Sequence, residues 1–151
     1  MAVPPAIAAL NGRWQGTNRL WLDPNEPASE SAATAVLDLT AEGTVATLEY
    51  TWAWDGQPQQ GFLMVSQTSE KAVAAWADSW HYHDGIMPMS GASADDGAIW
   101  VKGSYAAPPG PDWGWRLALH PDSADQFRLI MHNISPDGEE MLAVETVFER
   151  A

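Results

Sequence analysis

Apolar and polar residues alternate with a period of two along most of the chain. That period belongs to strands with one buried face. In Arg13–Leu22, Trp14, Gly16, Asn18 and Leu20 share one face, and Arg13, Gln15, Thr17 and Arg19 the other. Gly16 inside such a strand marks a bend or a close backbone approach. Ala32–Thr40 reads as a second strand. Ala41-Glu42-Gly43 is a short hairpin loop in which Gly43 can take positive φ. Thr44–Trp54 is a long third strand, with Leu48, Tyr50, Trp52 and Trp54 on one face and Glu49, Thr51 and Ala53 on the other. Asp55-Gly56-Gln57-Pro58 turns the chain, and Gln60–Gln67 returns as a strand. Ile99–Tyr105, Trp113–Leu119, Phe127–Ile134 and Met141–Glu149 complete the regular pattern. By parity, Tyr50, Trp52, Trp54, Tyr105, Trp113 and Trp115 point inward and Arg116 outward.

Other stretches are less regular. Pro5–Leu10 fits one helical turn, since proline is tolerated early in a helix. Asp23–Ser31 is a loop, with Pro24, Asn25 and Pro27. Residues 69–77 combine good helix formers and an N-cap candidate, Ser69, with an alternation of Ala74, Trp76, Asp78 and Trp80. The β-patterned surroundings predict a turn and then a strand near Val73–His81, with a helix as the alternative. His81–Asp96 carries Asp84-Gly85, Pro88, Ser90-Gly91 and Asp95-Asp96-Gly97, and reads as irregular. The outcome is an all-β chain of about nine strands with short connections. Sequential hairpins without long crossovers favour an antiparallel up-and-down barrel over a sandwich, and closure leaves no strand edge exposed.

Length and composition narrow the function classes. The chain has 151 residues, the size of one domain spanning 1–151. It can bury roughly 68–70% of its unfolded surface. With no cysteine, disulfides, thiolate catalysis and cysteine–zinc sites are excluded. A net charge of −13, from 20 acidic and 7 basic residues, argues against nucleic acid and against an anionic membrane surface. The N-terminal stretch lacks a basic region and is interrupted by Pro4 and Pro5, a poor signal peptide. No apolar run approaches the ~18 residues of a membrane helix. A cytoplasmic protein is expected. Nine tryptophans are many for this length, and suit either a cavity wall or a packed core.

Polar chemistry concentrates in Trp76-Ala77-Asp78-Ser79-Trp80-His81-Tyr82-His83. Asp78 and His81 offer an acid–base pair; Asp78 between tryptophans equally suits a buried carboxylate satisfied by indole or backbone N–H groups. Ser79 points to the opposite strand face, and no nucleophile elbow exists. His81-x-His83 has metal-ligand spacing but lacks an evident third ligand, and no metal or cofactor is expected. Arg116 offers an anion contact or a partner for Asp78 or Glu145.

A resemblance joins these pieces. Leu10-Asn11-Gly12-Arg13-Trp14-Gln15-Gly16 resembles the Gly-x-Trp opening of the lipocalin and fatty-acid-binding superfamily, the calycins. Asp78–His81, Gly103–Tyr105, Pro109–Arg116 and Met131–Glu139 are similar to an uncharacterised bacterial family of lipocalin-like barrels. The resemblance implies a barrel of about eight to ten strands holding a small apolar or amphipathic ligand. Haem-binding relatives carry a coordinating histidine near the C-terminus, and lipid carriers an Arg-x-Tyr anchor. Val144–Arg150 has neither, so neither ligand is carried over.

The sequence therefore predicts a lipocalin-like barrel that binds a small hydrophobic or aromatic molecule. Tyr50, Trp52, Trp54, Trp80, Tyr105, Trp113 and Trp115 would form the walls, and Asp78, His81 and Arg116 would orient the ligand. A small isomerase or hydrolase using Asp78 and His81, and a non-catalytic module that dimerises, are the alternatives.

Overall fold

The computed structural model describes residues 2–151. Strand accounts for 66% of the chain, and the only α-helix among the described residues is one turn, α1 (Pro5–Ala8), opened by proline. The strands are β1 (Gly12–Leu20), β2 (Ser29–Thr40), β3 (Val45–Trp54), β4 (Gln57–Gln67), β5 (Ala72–Asp78), β6 (Tyr82–Ser93), β7 (Ile99–Tyr105), β8 (Trp113–Ser123), β9 (Gln126–Ile134) and β10 (Glu140–Arg150). Each pairs antiparallel with its sequence neighbour, and β1 also pairs with β10, closing an up-and-down barrel. Gly16 stands opposite Phe148 on that closing seam. A Cβ at Gly16 would lie 1.8 Å from the Val147 carbonyl oxygen, so the close approach expected from the sequence is real.

Alternation decides the interior. Trp14, Asn18 and Leu20 of β1 are buried, as are Leu48, Tyr50 and Trp52 of β3 and Trp115, Leu117 and Leu119 of β8. Residues 72–78 form a strand, with Trp76 and Asp78 inward, so the helical alternative is not adopted. The stretch read as irregular is where the sequence reading fails. Residues 82–93 form the full strand β6, bringing the strand number to ten. Its alternation is carried by Met87 and Met89 inward, with Pro88 between them and Ser90 after them exposed. Pairing with β7 begins only at Ser90, so Pro88 has an unpaired side, a position that tolerates a missing N–H.

The two ends differ. At one, α1 and the residues around it close the barrel with the buried side chains of Val3, Ile7 and Leu10. Above them, the space among Leu37, Leu48, Leu63, Val65 and Leu119 leaves no room for a water. The lumen is therefore filled through this half. The opposite end carries the β1–β2 loop (21–28), the β5–β6 turn (79–81), the β7–β8 loop (106–112) and the β9–β10 turn (135–139). This end is the mouth.

Candidate functional site

Tyr50, Gly61 and Asp78 sit side by side across β3, β4 and β5. Gly61 has no side chain to fill the interior there. A Cβ on it would lie 2.0 Å from Tyr50 Cζ, so the glycine makes room for the phenol. Through that gap Tyr50 Oη donates to Asp78 Oδ2 at 2.7 Å, and accepts from Trp76 Nε1 at 2.9 Å. Trp52 Nε1 also donates to Asp78 Oδ2, at 3.3 Å. The other oxygen, Oδ1, accepts the backbone N–H groups of Trp80 (2.8 Å) and His81 (2.9 Å). Asp78 is 4% exposed, and its four donors satisfy both oxygens. Burial, and then the neighbouring Asp78 carboxylate, push the Tyr50 hydroxyl well above its usual range, so it stays a donor.

Asp78 thereby shapes the β5–β6 turn. Its two backbone bonds fix Trp80 and His81 directly after the strand and turn the His81 ring inward. The imidazole stacks on Trp52 at 5.2 Å and meets Trp80 edge-on at 4.9 Å. Trp115 lies 5.3 Å away and Trp76 6.3 Å. Trp54 extends the aromatic wall outward, 5.4 Å from Trp80. The bonds of Asp78 go to the backbone of His81 and not to its ring, so the two do not form the acid–base couple that their sequence spacing offered. His83 is exposed on the outer side. His81 and His83 therefore do not share a face, and no group of three metal-ligating side chains occurs among the described residues.

A cavity of about 170 Å³ opens beside this cage at the mouth. Trp80, His81, Trp115 and Asn133 line its inner side, and Leu20, Trp21, Leu22, Pro24 and Met141–Ala143 its rim. A β-bulge in β10, where the register skips between Leu142 and Val144, turns Ala143 toward the cavity. The Ala143 carbonyl receives the Trp21 N–H at 2.9 Å, which holds the β1–β2 loop over the rim.

The structure brings Tyr50, Trp52, Trp54, Asp78, Trp80, His81 and Trp115 into one connected cluster. Tyr105 stands at the same end, its hydroxyl donating to Asn133 Oδ1 at 2.6 Å, and Trp113 pairs with it across β7 and β8. Arg116 stays apart. Its parity sends it to the outer face, where it lies 5.1 Å from the Trp100 ring and 3.4 Å from Glu140. Neither Asp78 nor Glu145 is its partner, and it does not reach the mouth cavity. The sequence reading missed Asn133, although it lies in the Met131–Glu139 motif. It also missed Trp21 and the Met141–Ala143 rim, because the loop and the bulge break the parity that identified the others. Two larger hollows, each about 620 Å³, lie on the outer face. One, over β2 to β5, is bordered by Glu49, Phe62, Tyr82 and His83. Its lining mixes outward residues such as Thr34, Glu49 and Phe62 with Ala35, Tyr50 and Asp78 of the inward parity, while His81 and the tryptophans of the cage are not part of it.

Burial pushes the His81 imidazole below its ordinary pKa of 6.5, against the opposing pull of Asp78. The folded protein thus binds this proton less readily than the unfolded chain. The contribution of a neutral His81 to stability is complete above about pH 6.5, and is lost as pH falls from there toward the lowered native value. Thermal melts at pH 7.5 and pH 5.5 are expected to differ more for the native protein than for His81→Gln. An equal difference in both would show that the ring titrates as in the unfolded chain.

The family described as "Protein of unknown function (DUF1579)" matches residues 5–150. The chain belongs to the DUF1579 family. No curated protein matches the sequence. Among solved structures, this DUF1579 barrel is similar to Rv2717c from M. tuberculosis, with a TM-score of 0.60 and 15% identity over 99% of both chains. It is also similar to a redesigned beta barrel (TM-score 0.51, 15% identity, 100% and 99% of the two chains). A DUF3598 protein of unknown function from Nostoc punctiforme aligns with 96% of this chain and 48% of its own (TM-score 0.50, 16% identity). At these identities the likeness is one of fold.

Proposed function

We propose that this DUF1579 protein binds a small aromatic or hydrophobic molecule at the mouth of the barrel, in the manner of lipocalin-like carriers. The observation that carries the reading is the His81 cage. A half-buried imidazole is held among four tryptophans at the wall of a cavity, by a turn that Asp78 ties down with two backbone bonds. Apolar walls with a few converging polar groups are the usual composition of a ligand site. The cavity volume, about 170 Å³, is close to the roughly 150 Å³ of an engineered pocket that takes benzene. A single ring therefore fits, and a macrocycle does not.

Apart from Asn18, Asp78 and Thr146 the buried interior is apolar, and the outer face carries Arg13, Arg19, Glu49 and Lys102, all exposed. Membrane barrels have the reverse arrangement, which supports a protein working in water; the cytoplasm is the proposed compartment. Toluene titrated into isotopically labelled protein is expected to shift the indole N–H signals of Trp80 and Trp115, and to leave those of Trp14 and Trp100 in place. Shifts confined to Trp100, or none at all, would sink the proposal.

A further inference from the structure

We propose that the molecule held at the mouth carries a neutral carbonyl oxygen, received by the indole N–H of Trp115 and the side-chain amide of Asn133. The inference rests on the binding reading above and names the chemistry of its ligand. Trp115 is 8% exposed, and its Nε1 has no acceptor among the described residues. A buried N–H left without an acceptor is costly, and such groups are rare in folded proteins. This one belongs to a residue that lines a cavity.

The second donor stands beside it. Trp115 and Asn133 are direct partners across β8 and β9, and both line the cavity. Tyr105 Oη donates to Asn133 Oδ1 at 2.6 Å, which engages one lone pair of the amide carbonyl, fixes the amide's orientation and leaves Nδ2, a donor, for other partners. Two adjacent donors call for one acceptor atom with two lone pairs, which a carbonyl oxygen provides.

Charge selects among acceptors. No arginine or lysine lines the cavity, and the chain carries a net charge of −13. His81 lines the cavity too, but burial lowers its pKa and favours the neutral imidazole, and Asp78 behind it is a carboxylate whose donors are all internal. A ligand carboxylate would enter with no cation to meet it. A ketone, aldehyde, ester or amide brings the oxygen without the charge.

The test compares three probes of similar size on the full-length protein: acetophenone, α-methylstyrene (a methylene in place of the oxygen) and benzoate. Acetophenone is expected to bind about tenfold more tightly than α-methylstyrene, the factor one good hydrogen bond supplies. The Trp115 indole proton should move downfield with acetophenone only. Trp115→Phe, which keeps a ring and removes the N–H, should bring the two neutral probes to within about threefold. Asn133→Leu is the companion variant, reducing the same preference from the other donor. Equal binding of acetophenone and α-methylstyrene to the native protein would overturn the carbonyl inference and leave the cavity reading standing. Benzoate as the tightest of the three would overturn the neutral acceptor. Failure of all three to bind would overturn the cavity reading, and this inference with it.

Discussion

Replacing Asp78 with alanine is expected to destabilise the protein by about 3–5 kcal/mol, the range for stripping a buried polar network of its central acceptor. Four donors lose their partner at once: Tyr50 Oη, Trp52 Nε1 and the backbone N–H groups of Trp80 and His81. The sum of four separate penalties would be larger. The Tyr50 hydroxyl can turn and a water can enter the space, so part of the loss is recovered. Asp78→Asn retains the shape but offers a single acceptor oxygen, and its NH₂ must face one of the two donor pairs. It should lose about half as much. Urea unfolding of the two variants against the native protein measures the ordering. A loss below about 1 kcal/mol for Asp78→Ala would show that the donors are satisfied without the carboxylate. The effect should also reach the mouth. With the turn released, the indole signals of Trp80 and Trp115 should broaden, and the toluene-induced shifts should diminish even where the variant remains folded.

Parity made most of this site readable from the sequence. Trp52, Trp54 and Trp115 fall inward because their strands alternate cleanly, and Tyr50 reaches Asp78 because both lie on the inward face, two strands apart, with only a glycine of β4 between them. The role of Asp78 as a satisfied buried acceptor was also open to sequence reasoning, since a carboxylate between tryptophans needs donors. What parity could not supply was register. Nothing local says that Gly61 stands between Tyr50 and Asp78, or that Asn133 faces Trp115. The acid–base reading of Asp78 and His81 failed for a related reason. The strand ends at Asp78, and the turn beyond it offers backbone N–H groups to the carboxylate while the ring swings away. Strand β6 was hidden because glycine, proline and serine usually mark turns. In this barrel Pro88 and Ser90 occupy exposed, outward positions, while Met87 and Met89 keep the inward rhythm. The mouth rim escaped because a bulge at Ala143 and the loop around Trp21 follow no period.

Trp14→Ala at the closed end should cost about 3–5 kcal/mol, the range for removing a buried tryptophan. Trp14 is 1% exposed and meets the edge of Phe127 at 4.8 Å, which in turn stacks on Phe148 at 4.9 Å. Its Nε1 donates to the Leu10 carbonyl at 2.8 Å, tying β1 to the end of the helical turn. Its face carries the Arg150 guanidinium at 4.3 Å. That guanidinium donates to the carbonyls of Ala9, Asn11 and Ala124, joining both chain ends to the β8–β9 turn. Losing Trp14 removes the surface on which Arg150 lies, so Arg150→Ala should cost less in the Trp14→Ala background than in the native protein. A double-mutant cycle with a coupling near zero would show that the stack does not organise the arginine. The filled layer around Leu48, Leu63 and Leu119 separates this end from the cage at the mouth. Trp14→Ala and Asp78→Ala should therefore add without coupling. While the first variant remains folded, toluene should still shift the Trp80 and Trp115 signals. Loss of that response would mean that the packed layer transmits strain from the plug to the mouth, and that the two ends form one cooperative site.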